Sequence, residues 1–316
     1  MLPPVTTRPA LPLLAPWYRV VGDGERLLLE YAQSLVVLEG EAVRALLPAL
    51  LPLLDGAHGI DQLADRLGPA ARPAIEAAID LLSARGVVVD GPDAPPDLRD
   101  AARCAAASYR LAPAVAAERL RRAAVGFVGS GGMSVDVARL LAAAGLRNLR
   151  RVGWSGRGRV DLAVVAPAAD EFDRLPAWNR AALDARSAYL ILRPWDGRMA
   201  AVGPLVLPGQ TCCYDCALLR RGANSGYATE LGDVEAAPLA AAPDPAVAAI
   251  AAAVAAQLIV RWLIGDDRTV PGILYTIETQ PALRLDEHAV LRVPRCPSCS
   301  VAERAAPPLP WHAAAA

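Results

Sequence analysis

Near the N-terminus apolar residues come in short extended runs, then fall into helical periods. Trp17-Tyr18-Arg19-Val20-Val21 reads as a strand, Gly22-Asp23-Gly24-Glu25 as a turn, and 26–31 and 34–38 as two more strands of a small antiparallel sheet. Residues 1–16, rich in Pro and Leu, read as an irregular lead-in. Gly40 ends the sheet. Residues 41–54 carry apolar side chains at helical spacing, with Pro48 and Pro52 placed to bend or split the helix. A short helix is expected over 60–67, between Gly59 and Gly68. A third starts at Pro73, a residue suited to a first helical turn, and buries Ile75, Ile79 and Leu82 at i, i+4 and i+7. Gly86 stops it, and Val87-Val88-Val89 reads as a returning strand. Strands, three helices and a closing strand over 17–91 predict a winged-helix-like module of small-domain size.

Residues 92–122 read as a linker and bridging helix, stiffest at Pro95-Pro96 and interrupted at Pro113. A second domain over 123–304 opens with the buried strand 123–128, the loop Gly129-Ser130-Gly131-Gly132-Met133-Ser134, a helix over 135–144, and strands at 149–152 and 160–165. Strand, glycine loop, helix, strand is how a doubly wound parallel sheet begins. A helix over 175–188 and strands at 189–192 and 199–207 lead to a cysteine-rich turn. Residues 220–244 are small and polar and read as a mobile loop, 246–264 as an Ala-rich helix, and 273–278 and 290–293 as strands before a second cysteine turn. Residues 305–316 read as a flexible tail. The expected class is α/β: a winged-helix-like module followed by a doubly wound domain.

The length of 316 residues suits two domains. A net charge of −1 and a pI near 6.3 remove the electrostatic footprint of a general nucleic-acid binder, and with the absence of a basic recognition helix they argue against a third alternative, a winged-helix transcription factor with a zinc-bound sensor domain. All 32 basic residues are Arg, so no lysine can hold a nucleotide phosphate. The run 246–260 is mostly Ala, broken by Gln257 and closed by Arg261, so a core helix is expected rather than a membrane span. Met1-Leu2-Pro3-Pro4 has no secretory pattern, and most of the six cysteines sit in metal-type spacing, so a reducing cytoplasm is expected.

The chemistry concentrates in Cys213-x-x-Cys216 and Cys296-x-x-Cys299. One such pair could be a redox couple; two favour a closed four-sulfur zinc site, which is structural because no coordination position is left for water or substrate. The pairs lie about 80 residues apart, so the metal would clip remote parts of one domain together. Cys212 competes with Cys213, and the two-residue spacing to Cys216 selects Cys213. Cys104, in an Ala-rich helical stretch, reads as a buried or half-exposed thiol.

Gly129, Gly131 and Gly132 could cradle phosphate at a helix N-terminus. A nucleotide site also wants an acid at the end of the second strand, and that place reads Gly153-Trp154-Ser155-Gly156-Arg157-Gly158-Arg159. The loop is therefore read as vestigial, with ATP not expected. His58 at a helix border, His288 in a charged turn and His312 in the tail have no evident nucleophile or metal partner. With no catalytic constellation in view, the chain is not expected to be an independent enzyme.

The run Gly203-Pro204-Leu205-Val206-Leu207-Pro208-Gly209-Gln210-Thr211-Cys212-Cys213-x-x-Cys216, followed by Arg220-Arg221 and Cys296-x-x-Cys299, resembles the ubiquitin-activating-enzyme-like (ThiF-like) proteins of azole-modified peptide biosynthesis. The module before it resembles the PqqD-like recognition element of ribosomally made, modified peptides. Together, over about 17–300, they resemble the ocin-ThiF-like partners of YcaO cyclodehydratases.

The resemblance implies a protein that binds a precursor's leader peptide and presents its core to a separate YcaO enzyme. That enzyme spends ATP to cyclise Cys, Ser or Thr onto the preceding amide. The resemblance also implies strand addition in a groove between a strand and the third helix: Leu35, Val36, Val37 and Leu38 on one side, Ile75, Ala78, Ile79 and Leu82 on the other, about half of them core. Arg72, Asp80 and Arg85 would be rim charges. The missing acid suits a non-adenylating member, and homodimers are a further expectation from such domains. The alternative is an ATP-dependent adenylating enzyme acting on a peptide or carrier-protein C-terminus.

Overall fold

The computed structural model describes residues 8–22, 25–155, 159–235, 237–238 and 244–300. The tail expected at 305–316, with His312, lies outside them. The chain divides into two compact units, Met1–Arg121 and Arg122–Ala316.

In the first unit, β1 (Pro12–Leu14) precedes a three-stranded antiparallel sheet of β2 (Arg19–Gly22), β3 (Arg26–Tyr31) and β4 (Ser34–Glu39), in that order. Period-2 alternation sets its faces. Leu27 pairs with Leu38 and Leu29 with Val36 on the core side, whereas Leu28–Val37 and Glu30–Leu35 pair on the other. The expected helix over 41–54 is split into α1 (Glu41–Ala45), α2 (Leu47–Leu50) and a 3-10 turn at Leu51–Leu53. Pro48 and Pro52 each occupy the first turn of a new segment, where a missing N–H costs nothing. α3 (Ile60–Leu67) starts at Gly59, whose N–H donates to the Gln62 side chain at 2.9 Å. α4 (Arg72–Ala84) buries Ile75, Ile79 and Leu82 against Leu29, Leu50 and Leu63.

One expectation fails here. β5 (Val88–Asp90) does not return to the three-stranded sheet but pairs antiparallel with β1, placed by sequence in an irregular lead-in. A three-residue strand carries too little alternation to register, and its partner is more than 70 residues away. α5 (Arg99–Tyr109) and α6 (Pro113–Arg122) follow, broken where Pro113 opens the second helix.

The second unit contains β6 (Ala124–Val128), α7 (Met133–Ala143), β7 (Asn148–Arg151), β8 (Leu162–Val165), α8 (Leu175–Asp184), β9 (Tyr189–Arg193), β10 (Met199–Val206), α9 (Tyr214–Ser225), α10 (Ala228–Glu235), α11 (Pro245–Leu263), β11 (Ile273–Glu278) and β12 (Arg284–Ala289). Its seven-stranded sheet runs β12-β11-β10-β9-β8-β6-β7. The strands β7, β6, β8 and β9 are mutually parallel, and β10, β11 and β12 extend the sheet antiparallel. The sheet is thus mixed.

Two elements differ from expectation. The supposed loop 220–244 contains the rest of α9 and all of α10, closed by a buried Glu235. The last strand is not 290–293 but β12 at 284–289, an edge strand whose polar, exposed side chains hide it. His288 therefore sits in a strand, with Nε2 3.0 Å from Thr276 Oγ1, and not in a turn. α11 has the length and apolarity of a membrane span; it buries Val247, Ala251, Ala252, Ala255, Ala256, Leu258 and Ile259, and its neighbours include α7 and β10. Asp244 caps it by accepting the N–H groups of Ala246 and Val247.

Ile79 is fully buried. Ile79→Ala is expected to cost about 2–5 kcal/mol by emptying that space. Denaturant unfolding of the full chain checks this, and a loss below about 1 kcal/mol contradicts the core assignment.

Candidate functional site: four sulfurs, a filled glycine loop and an open strand edge

The first cysteine turn is built where β10 ends. Gly209 takes φ +83°, and Thr211 Oγ1 accepts the Leu207 N–H at 2.8 Å, closing the turn. Cys213 caps α9, and Cys216 lies in its first turn. The Tyr214 N–H donates to Tyr189 Oη at 3.1 Å, and Tyr189 Oη–H donates to Asn179 Oδ1 at 2.5 Å, so buried β9 and α8 side chains fix the start of α9.

The second turn follows β12. The Cys296 N–H donates to Val293 O at 3.1 Å and the Ser300 N–H to Cys296 O at 3.0 Å. Arg292 donates to Gly209 O at 3.0 Å and Cys299 O at 2.8 Å, Arg220 Nε donates to Leu291 O at 2.6 Å, and Ser298 Oγ donates to the Asp215 carboxylate.

The Sγ atoms of Cys213, Cys216, Cys296 and Cys299 all lie within 4.8 Å of one another. Separations are 3.8 Å for Cys213–Cys216, 3.6 Å for Cys213–Cys296 and 3.4 Å for Cys216–Cys299. A tetrahedral ion with metal–sulfur bonds of about 2.3 Å sets sulfurs about 3.8 Å apart, so the donor set fits such an ion. Cys212, though buried, is outside the group, and burial pushes its thiol up to about 12. The hydrogen bond from Cys213, joined by the Val293 N–H, pulls Cys216 below the ordinary thiol range. Cys213, the donor in that bond, is pushed far up, and Cys299 is pushed up first by burial. Four thiolates this close repel, which only a cation relieves. Cys104 is exposed.

The glycine loop is closed by its own chain. A Cβ on Gly129, which has φ +87°, would stand 2.4 Å from Ala166 O, and one on Gly131 would stand 2.6 Å from Pro167 O. Those two glycines are required by close packing against the exit of β8. Gly132 caps α7 and has nothing near its Cβ position. Glu171 fills the cradle: one oxygen accepts the N–H of Ser130 at 2.8 Å and of Ala168 at 2.9 Å, the other accepts Trp154 Nε1–H at 3.1 Å. Burial alone would raise this carboxyl, but the Ala168 and Ser130 amides and the Trp154 indole outweigh it and hold it at about 2. No sequence signal marks Glu171, which is 41 residues from its Ser130 partner.

The eight groove residues split. Ile75, Ile79, Leu82 and Leu38 are core; Val36 and Ala78 are half-buried against it; Leu35 and Val37 are 57% and 47% exposed. The expected rim charges are partly engaged: Arg72 pairs with Asp61 and Glu76, and Asp80 with Arg8.

With this geometry in hand, the class is a mixed α/β fold built on a seven-stranded sheet. No protein-family model matches the sequence, and no curated protein does. Among solved structures the fold is similar to that of the heterocyclase TruD, at 23% identity and TM-score 0.70 over 94% of this chain and 44% of that one. A heterocyclase solved with substrate and cofactor matches at 23% identity and TM-score 0.69 over 92% and 40%. The E. coli MccB structure with ATP matches at 16% identity and TM-score 0.60 over 91% and 99%. The chain thus spans less than half the length of the heterocyclase chains and nearly all of MccB.

Two outcomes follow. Cys213→Ser should lose a bound metal that Cys212→Ser keeps, by elemental analysis of purified protein; equal content in both rejects the ligand assignment. Glu171, whose folded pKa is depressed to about 2 from 4.5, adds stability above pH 4.5 that is lost as pH falls toward 2. Glu171→Gln should therefore be less stable than the parent at pH 7, with the gap narrowing toward pH 2.5 in urea titrations.

Proposed function

We propose that this chain recognises the leader of a ribosomally made precursor peptide and activates a separate YcaO-family cyclodehydratase, catalysing no step itself. The observation that carries the reading is the open edge of β4, whose outer side pairs with no strand among the described residues and bears the exposed Leu35 and Val37. An unpaired edge offers a row of N–H and C=O groups that an extended peptide can complete as a fourth strand. In this reading the first unit is a winged-helix recognition element. The cysteine cluster is a structural zinc site, since four sulfurs leave no position for substrate. The fold likeness to TruD, a heterocyclase, supports a place in azoline formation.

A second reading, an adenylating enzyme, is favoured by the likeness to MccB, one of whose structures holds ATP. Glu171 argues against it: a carboxylate already holds the Ser130 amide of the glycine loop, and a phosphate brought there would meet a like charge.

The test starts from the neighbouring genes: a short Cys-, Ser- and Thr-rich precursor found there supplies the leader peptide. Tight binding by calorimetry is expected, with Val37→Asp weakening it at least tenfold at unchanged melting temperature. ATP–pyrophosphate exchange by the chain alone should be flat. A leader that does not bind, together with a YcaO enzyme indifferent to the chain, sinks the first reading; measurable exchange establishes the second.

A further inference from the structure

The second unit has an open hollow of about 490 Å³ between α9 and the β9–β12 part of the sheet. Its walls are mainly apolar, with Phe172, Ile191, Met199, Leu218 and Leu274 among them. On one side stands Glu235, 8% exposed, in a place where a carboxylate is costly unless fully satisfied. It is satisfied. Arg193 grips both oxygens, Arg221 donates to Oε2 at 3.0 Å, and Tyr214 Oη–H donates to Oε1 at 3.1 Å. The Arg193 guanidinium also lies 5.4 Å from the centre of the Phe172 ring.

The donors and the acceptor come from unlike parts. Arg193 ends β9 in the sheet, and Tyr214 and Arg221 ride on α9, whose start is fixed beside the sulfur cluster. Glu235 is the last residue of the eight-residue α10. Charge is unbalanced as well: two guanidiniums face one carboxylate. Arg220, also in the wall, spends its donors on the Leu291 and Arg292 carbonyls, and Asp196 accepts the N–H groups of Arg198 and Met199. A two-pronged Arg, a second Arg and a phenol converging on one carboxylate beside an apolar hollow form a receptor for an apolar peptide segment bearing a carboxylate.

We propose that Arg193, Arg221 and Tyr214 form a carboxylate-binding subsite for a peptide, filled in this structure by the chain's own Glu235, which an incoming carboxylate displaces. Glu235 competes at the high effective concentration of a tethered group, so the parent chain binds weakly and removal of the competitor strengthens binding. The site lies within the second unit and does not depend on the leader reading.

The test uses the full chain and three fluorescent alternating alanine–leucine pentapeptides: one with a free C-terminal carboxylate, one amidated with a central glutamate, and one amidated with neither. Glu235→Gln is expected to bind at least one carboxylate peptide tenfold or more tightly than the parent, and the peptide that binds names the source of the carboxylate. The peptide with neither should not bind. Adding Arg221→Gln should abolish the gain. If Glu235→Gln is unfolded by thermal melt, Glu235→Asp, whose shorter side chain slackens the grip, serves with the same expected direction. Binding of the uncharged peptide as tightly as the others, or no gain in any folded Glu235 variant, overturns the proposal.

Discussion

The four sulfurs hold together what little else could. From 290 to 300 only Cys296 is fully buried and no strand forms, so the packing of the half-buried Val290 and Val293 against the core leaves much of the anchoring to other contacts. It is tied down by the cysteine cluster, by Arg292 reaching Gly209 and Cys299, and by Arg220 reaching Leu291. The same cluster sets the first turn of α9, because Cys213 and Cys216 flank Tyr214. The position of α9 then fixes Tyr214 and Arg221 around Glu235. Sulfur clustering, helix placement and the buried ion cluster form one chain of dependence.

Two anion receptors in the second unit are filled by the chain's own carboxylates. Glu171 takes the Ser130 amide of the glycine loop and the Ala168 amide after β8, and Glu235 takes the guanidiniums at the cavity. Each is partly or wholly removed from water, and each is satisfied by three or more donors, which is why an acid can stand there at all. The two differ in their donors. Backbone amides at Glu171 are welded to a closed loop in which a Cβ on Gly129 or Gly131 would clash, leaving little room for exchange. Side-chain donors around Glu235 line an open hollow, where exchange has room to happen.

Local pattern accounts for what the sequence made legible. Strands at 26–31 and 273–278 and the helix at 60–67 fall where alternation, periodicity and flanking glycines place them. Spacing picked Cys213 over Cys212, and the sulfurs group the same way. What stayed hidden depends on distant partners. β1 exists because β5 pairs with it, α10 ends on an acid buried by residues up to 42 positions away, and β12 is an exposed edge whose polarity resembles a loop. Resemblance to a family supplied the groove residues, but burial divides them, since a helix face cannot serve the core and a ligand with the same atoms.

That division constrains how an added strand could bind at β4. A six-residue edge offers about six outward main-chain groups. At about 0.5–1.5 kcal/mol net for each hydrogen bond they amount to about 3–9 kcal/mol. Association alone costs about 4–15 kcal/mol, so pairing by itself roughly breaks even. Affinity must then come from side chains, and Ile75, Ile79 and Leu82 have no area left to give. Leu35 and Val37 do, with Val36 and Ala78 contributing their free halves. With Arg72 and Asp80 already paired, those two rim charges select among peptides only by first breaking their pairs. A strand added at this edge would therefore be selected by apolar contact before charge: its alternate residues would have to cover Leu35 and Val37, and an acidic strand in the same place would pair its backbone and gain little more.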